Sequence, residues 1–270
     1  MIIDTHVHIG NSLNFIMTEE DVLYSMKTYG IDYCMVSNCE AASHDHSRVI
    51  LPNEYQTSAV DCLKRVLRFC KENEGKIGAA VWVKPSVEKP SKELVDLIEE
   101  NRKYIHAIKL HPYHAGCSFS SEEAQEYIKL ARDLSLPVVT HTGDCEDDSP
   151  QRDYEMAKKY PEVNFVMVHL GLGTDNKEAI KLCAKLPNLY GDTTWVSVDS
   201  ALEFIKVCGA EKLLFGSDNP IDGKDTYLNN GKGDVSLYQD YFTRFRETVG
   251  EEVYSLVMAE NAKRLFKINI

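Results

Sequence analysis

The sequence predicts an α/β fold, a (β/α)8 TIM barrel formed by one domain over residues 1–270. Short apolar runs rich in β-branched residues alternate with longer amphipathic segments along the whole chain. Strand followed by helix, repeated eight times, is typical of a parallel sheet with crossover helices. No Gly-x-Gly-x-x-Gly follows any strand, which disfavours the alternative of an open dinucleotide-binding sheet.

Eight segments have the length and composition of buried strands. In chain order they span residues 2–8, 33–37, 77–83, 105–110, 137–141, 164–169, 188–192 and 212–216. Two of the connections, residues 39–53 and 219–236, are long loops, and helical patterns then run to Phe266 and end the domain.

Two of the intervening helices are especially clear. Within residues 55–73, apolar side chains recur at helical spacing, and a second such pattern begins at residue 121 with Ser120 or Ser121 as its cap. The apolar positions of the first pattern are Ala59, Cys62, Leu63, Val66, Leu67 and Cys70.

Composition excludes several classes of function. A net charge of −12 disfavours binding to nucleic acid or to anionic membrane surfaces. The eight cysteines include no Cys-x-x-Cys pair, so we expect buried, reduced thiols. The first residues resemble no secretory leader, and no segment is long and apolar enough to cross a bilayer. We therefore expect a cytoplasmic protein with a small-molecule substrate, and a homodimer is compatible with the sequence.

Chelating side chains recur where the predicted strands end, which is where barrels carry their chemistry. His6 and His8 are two residues apart on one strand, so both rings point to the same side. His141, His169 and Asp218 follow at the ends of later strands. Each alone could be an ordinary polar rim residue, but together they indicate a site for Zn²⁺, Mn²⁺ or Fe²⁺.

Four residues are weaker candidates for contacts with substrate. Arg48 lies on the long loop after the second strand and could hold a substrate carboxylate. Trp82 and Trp195 lie near the ends of two strands and could line the pocket. His111 shares a strand face with Lys109, so it points either into the pocket or to a structural hydrogen bond.

These motifs resemble the amidohydrolase superfamily, and within it the amidohydrolase-related (amidohydrolase 2) family, which includes aminocarboxymuconate-semialdehyde decarboxylase. The resemblance covers nearly the whole chain and implies a (β/α)8 barrel. Asn219 departs from the family's usual aromatic residue. The matching motifs are Asp4-Thr-His-Val-His8, Ile108-Lys-Leu-His-Pro112, His141-Thr-Gly143, His169-Leu-Gly171, Phe215-Gly-Ser-Asp-Asn-Pro220 and Asn261-Ala-Lys-Arg-Leu-Phe266.

The resemblance also implies roles for the site residues. The catalytic metal would be bound by His6, His8, His141 and Asp218, with His169 as a catalytic histidine or a ligand of a second metal. Lys109, once carboxylated by CO₂, could bridge two ions as in binuclear members. As an ammonium, it could instead pair with Asp218 or with a substrate carboxylate. The closer likeness to mononuclear enzymes favours one Zn²⁺.

We therefore expect a metal-dependent hydrolase that acts on a small polar or carboxylate-bearing substrate through a metal-activated water. Asp218 would accept the proton of that water, and His169 would polarise the carbonyl. The alternative is a nonoxidative, metal-dependent decarboxylase, a carbon–carbon lyase. A catalytically silent metal-binding protein is the least favoured alternative, because the proposed set of site residues is intact.

Overall fold

The computed structural model describes residues 1–270 and contains one nine-stranded sheet with helices between the strands. This confirms the predicted α/β class and parallel sheet. The strand order is β2-β1-β3-β4-β5-β6-β7-β8-β9, and every pair is parallel except β1 with β2. The strands are β1 (Ile3–Ser12), β2 (Phe15–Met17), β3 (Tyr33–Asn38), β4 (Ile77–Trp82), β5 (Ile105–Leu110), β6 (Val138–Gly143), β7 (Phe165–Leu172), β8 (Leu189–Asp192) and β9 (Leu213–Leu214).

Eight of the eleven α-helices lie between successive strands, as the alternating pattern predicts, and the last three follow β9. Short 3₁₀ turns cover Cys39–Ala41, Asn53–Tyr55, Glu146–Asp148 and Ala210–Lys212, and π-helical turns cover Tyr241–Phe245 and Leu256–Glu260. The α-helices are α1 (Glu19–Tyr29), α2 (Ala59–Glu72), α3 (Lys92–Glu100), α4 (Pro112–Ala115), α5 (Glu122–Asp133), α6 (Pro150–Lys159), α7 (Lys177–Cys183), α8 (Val198–Cys208), α9 (Tyr238–Asp240), α10 (Arg246–Ser255) and α11 (Asn261–Phe266). No helix combines the length and the apolar character needed to cross a membrane.

Side-chain caps fix where the two clearest helices begin. The Ser58 hydroxyl accepts a hydrogen bond from the Asp61 backbone N–H at 3.0 Å, and α2 starts at the next residue. Ser121 accepts from the Ala124 N–H at 3.2 Å, which resolves the choice between Ser120 and Ser121 for α5. Both helices bury the apolar face that their sequence pattern predicts.

A hairpin absent from the predicted strands extends β1. The strand continues past His8 to Ser12, turns at Leu13 and Asn14, and pairs antiparallel with β2. Both turn residues have positive φ, 57° and 68°, which is the backbone of a two-residue type I′ turn.

The last strand is followed by a segment that lies beside β1. Thr5 donates a backbone hydrogen bond to the Phe215 carbonyl at 2.9 Å, and His8 donates to Asn219 at 2.9 Å. In return, the Asp218 N–H donates to the His6 carbonyl at 2.8 Å. These bonds hold the candidate ligands of β1 and of the chain after β9 next to each other.

The base of the sheet is filled by apolar side chains and by helix α11. Ala262, Leu265 and Phe266 of α11 pack against inward-facing residues of the strands. Beside them, the Tyr33 hydroxyl and His106 Nε2 lie 2.7 Å apart. Gly78 is required there, because a Cβ atom would lie 2.2 Å from the Tyr33 hydroxyl oxygen. Apolar side chains therefore fill the end of the sheet that is opposite to the polar site.

Candidate metal centre and active site

Three predicted ligands converge at the carboxyl ends of the strands. His6 and His8 point to the same side of β1, as the alternation predicts, and their Nε2 atoms lie 3.0 Å apart. Asp218, which follows β9, places Oδ1 2.9 Å from His6 Nε2 and 3.1 Å from His8 Nε2. Two imidazoles from the first strand thus meet one carboxylate from the end of the sheet.

His169 and Trp195 approach the other oxygen of that carboxylate. His169 Nε2 lies 3.9 Å from Asp218 Oδ2, and the Trp195 indole N–H donates to the same oxygen at 2.8 Å. His169 Nδ1 lies 3.2 Å from the Thr194 carbonyl, which can only accept. The proton of a neutral His169 therefore sits on Nδ1, and Nε2 directs its lone pair towards the cluster.

The charge states suit a divalent cation. Burial alone would raise the pKa of Asp218, but the neighbouring His6 and His169 rings hold it well below its usual range. Burial and the nearby Lys109 lower the pKa of His6 well below 6.5, and burial lowers that of His169 to about 4. Neutral imidazole and ionised carboxylate are the forms that bind metal.

The spacing of the donor atoms also fits an ion. One ligand atom each from His6, His169 and Asp218 lies within 4.8 Å of the others. Around a metal with bonds of about 2.1 Å, neighbouring ligand atoms are about 3.0 to 3.4 Å apart, depending on the bond angle. The separations of 2.9 to 3.1 Å among His6, His8 and Asp218 lie close to the lower end of that range. His8 is further oriented by Ser37, whose hydroxyl oxygen lies 2.9 Å from Nδ1.

His141 lies in the cavity wall and outside the tight group of donor atoms. Its Nε2 faces Asp148 Oδ2 at 3.7 Å, and its ring stacks on His111 with a centroid distance of 3.8 Å. On the other side, its ring centroid is 4.7 Å from that of His169. The structure therefore brings His141 beside the cluster, with its Nε2 directed to Asp148.

Lys109 lies beneath the cluster and does not line the cavity. It is buried, and its Nζ is 3.1 Å from His6 Nε2. Burial lowers the pKa of Lys109 to about 8. The direct ion pair with Asp218 that the sequence suggested does not form, because His6 lies between the ammonium and the carboxylate in the contacts observed.

The four weaker candidates separate into two groups. Trp82, His111 and Trp195 line the cavity, and Trp82 stacks on His111 with a centroid distance of 5.4 Å. Arg48 does not line it, because its guanidinium pairs with Asp147 and lies over the Tyr113 ring. The structure thus gives Arg48 a loop-tethering contact in place of the expected contact with substrate.

The cavity above the cluster has a volume of about 530 Å³. Its wall contains seven histidines and three carboxylates, and no lysine or arginine. Burial lowers the pKa of His111 and His141 well below 6.5, so these rings are neutral at pH 7. The cavity offers no side-chain cation to an anionic group.

Sequence reasoning missed Asp148, a buried carboxyl in this wall. It ends the 3₁₀ turn after β6, and burial raises its pKa to about 6. The available signal was the acidic run from Asp144 to Asp148, directly after the His141-Thr-Gly143 motif. The contact of Trp195 with Asp218 also goes beyond the sequence prediction, which gives the indole a place only in the pocket lining.

Several site residues have a left-handed backbone conformation, which residues other than glycine rarely adopt. The φ angles are 69° for His169, 57° for Trp195 and 63° for Asp218. A backbone hydrogen bond holds each of them: the His169 N–H donates to Asp192 Oδ1 at 3.0 Å, the Trp195 N–H to the Tyr238 hydroxyl at 3.2 Å, and the Asp218 N–H to the His6 carbonyl at 2.8 Å. These conformations direct the three side chains towards one point.

Comparison with known proteins agrees with this architecture. A metal-dependent hydrolase of uncharacterised function from Bacillus subtilis (strain 168), YabD, is 25% identical over 201 residues, covering 66% of this chain and 74% of YabD. A 5-carboxyvanillate decarboxylase from Sphingomonas paucimobilis superposes with a TM-score of 0.71 at 13% identity, covering 99% of both chains. A 2,6-dihydroxybenzoate decarboxylase from Rhizobium gives 0.69 at 12% identity, covering 99% of this chain and 98% of the other.

At these identities the two structural likenesses establish the fold alone. The family assignment comes from the sequence, because the amidohydrolase family model matches residues 3–268. This match confirms the resemblance carried by the histidine and aspartate motifs. The chain is therefore an enzyme of the amidohydrolase family.

Proposed function

We propose that the protein is a zinc-dependent hydrolase that acts on a small polar molecule bound in the cavity above His6, His8 and Asp218. The observation that carries this proposal is the approach of two imidazoles, those of His6 and His8, to one oxygen of an ionised carboxylate, at 2.9 and 3.1 Å. Imidazole and carboxylate donors suit Zn²⁺. We place one ion there, with His169 as a further ligand or a proton acceptor and His141 beside it.

We also infer that the eight parallel strands close into a (β/α)8 barrel. The support is the set of backbone hydrogen bonds between β1 and residues 215–219, at 2.8 to 2.9 Å. Closure would gather the carboxyl ends of all eight strands around one mouth. The cavity would then be the barrel mouth, with the apolar layer and α11 as its floor.

A bound divalent cation would supply a more acidic water at neutral pH and an electrophile for a carbonyl oxygen. Asp218 is the residue placed to accept a proton, since its carboxylate is ionised and lies within the cluster. Trp195 holds Asp218 Oδ2 through its indole N–H, which leaves Oδ1 facing the two histidines. After bond cleavage, Asp218 would return the proton to the leaving group.

Hydrolysis is favoured over decarboxylation by the charge of the cavity. A decarboxylase must bind a carboxylate substrate, and apart from the metal itself, side-chain cations are the usual partners of such groups. The wall offers neither lysine nor arginine, since Lys109 lies behind His6 and Arg48 is paired with Asp147. A neutral amide, lactone or ester avoids this requirement.

The test is a turnover screen of zinc-reconstituted protein in heavy-oxygen water. One panel contains neutral arylamides, lactones and aryl esters, and the other contains aromatic and unsaturated carboxylates. We expect turnover in the first panel, with one labelled oxygen in the acid product, and none from the His6→Ala/His8→Ala control. Release of CO₂ from the second panel without incorporation of label would instead establish the decarboxylase.

A further inference from the structure

The cavity wall contains a buried carboxyl oxygen that no protein group satisfies. Asp148 is 1% exposed, and its Oδ1 has no hydrogen-bond partner. Its Oδ2 faces His141 Nε2 at 3.7 Å, which is too long for a hydrogen bond. Buried polar atoms are nearly always paired, because an unpaired one loses its contact with water without compensation. An orphaned acceptor in the lining of a cavity therefore indicates a partner supplied from the cavity.

A second orphaned atom lies on the same wall. His111 stacks on His141 at 3.8 Å between ring centroids, and its Nδ1 is buried without a partner. His141 is thus flanked by two unsatisfied polar atoms, one from His111 and one from Asp148. His111 and Asp148 both contact His141, and the next ring beyond His141 is that of His169, which belongs to the metal cluster. This part of the wall is suited to the end of a substrate that lies away from the metal.

The space beside Asp148 is kept free by a glycine. A Cβ atom at Gly143 would lie 3.1 Å from both carboxyl oxygens of Asp148. Asp144 adds a second acidic side chain to the lining, and no lysine or arginine lines the cavity. The local charge is therefore negative, which favours donors and cations and disfavours a carboxylate.

We propose that the substrate presents an N–H or O–H donor to Asp148 Oδ1, so the enzyme takes a small amine-, amide- or hydroxyl-bearing molecule and rejects one with a carboxylate at that end. This inference rests on the proposed function, because the other end of the molecule is assigned to the metal. The sequence predicts a small polar or carboxylate-bearing substrate, and this inference excludes substrates with a carboxylate at the end that lies beside Asp148. A site built to pair a donor discriminates strongly against analogues without one.

The test uses hydroxamates, which chelate divalent metals, as binding probes of zinc-loaded protein. Benzohydroxamate is the parent probe, and the others carry an aminomethyl, hydroxymethyl or carboxyl group at the meta or para position. Calorimetry at about pH 8 keeps Asp148 ionised. Each substituent is compared at both ring positions. We expect the tighter-binding aminomethyl isomer to bind at least about tenfold more tightly than the parent, and the carboxyl isomer with the same ring position at least about tenfold more weakly.

Asp148→Asn should remove most of this discrimination while zinc content and the affinity of the parent probe stay unchanged. The matched control is Asp144→Asn, since Asp144 lines the same cavity but is exposed to solvent, and it should keep the preference. Gly143→Ala is a second variant, whose methyl group should weaken the aminomethyl probe by about tenfold through crowding at Asp148.

The outcomes separate this inference from the proposed function. If the parent probe binds but its substituents make no difference, the inference is wrong and the metal site stands. Discrimination that persists in Asp148→Asn would also overturn it. If the protein does not retain zinc, or if its zinc does not bind the parent probe, the proposed function fails and the inference fails with it.

Discussion

The indole of Trp195 provides a sharp test of how the metal site is held. Its N–H donates to Asp218 Oδ2 at 2.8 Å, and no other donor lies within hydrogen-bond distance of that oxygen, since His169 Nε2 is 3.9 Å away. Trp195→Phe keeps an aromatic ring in the wall but removes the donor. Oδ2 would then be free to rotate, and Oδ1 would lose its fixed position between His6 and His8.

The expected effect can be derived in two ways. A hydrogen bond to a charged group contributes about 1.5 to 3 kcal/mol. Independently, removing a partner that orients a metal ligand lowers metal affinity by about 10- to 100-fold, which is about 1.4 to 2.8 kcal/mol. Both routes predict that Trp195→Phe weakens zinc binding by one to two orders of magnitude.

The assay is competition for zinc against a chromophoric chelator. Trp82→Phe is the matched control, because Trp82 lines the same cavity without donating to a candidate ligand, and we expect a change of less than about threefold. An affinity of Trp195→Phe within about threefold of the unaltered protein would refute the argument that the indole positions Asp218.

Three further predictions concern the cluster and the base of the sheet. His6→Ala/His8→Ala should lose bound metal yet keep its fold, since the apolar layers do not depend on the ligands; elemental analysis and circular dichroism check both, and unchanged metal content would exclude these ligands. Asp218→Asn should abolish turnover more completely than metal binding, because an amide oxygen can ligate but cannot accept a proton, and near-normal turnover would leave Asp218 a structural role. Burial lowers the pKa of His106 from 6.5 to about 4. Between these pH values His106 is protonated in the unfolded chain and neutral in the folded protein, so the free energy of unfolding should fall by about 3 kcal/mol as the pH drops from 6.5 to 4. Urea unfolding at several pH values measures this loss, and an identical pH dependence in His106→Gln would contradict it.

The strands were predictable because each is a short apolar run between polar residues. The predicted strand 105–110 coincides with β5, and the other seven differ by a few residues at their ends. β9 is shorter than predicted because residues 215–219 leave the β8 ladder and bond individually to β1. The hairpin was missed because its turn is Leu13-Asn14, and leucine gives no signal for a left-handed turn.

The site residues that lie on strands were predictable, because strand periodicity determines which side chains share a face. The alternation along β1 places His6 and His8 together, and the alternation along β5 directs Lys109 to the cluster. Loop conformation decides the rest. Asp148 reaches the wall through a 3₁₀ turn, and Arg48 is drawn to Asp147 across two loops. No periodicity in the sequence encodes these contacts.

The left-handed conformations at His169, Trp195 and Asp218 have a consequence for evolution and engineering. Such backbone costs about 1 to 3 kcal/mol for each residue, and the remaining structure must supply that energy. Selection for heat resistance alone would favour glycine at these positions, which relieves the strain and removes the chemistry in one step. We therefore expect the most stable descendants of this chain to be inactive ones, unless catalysis is selected in the same experiment.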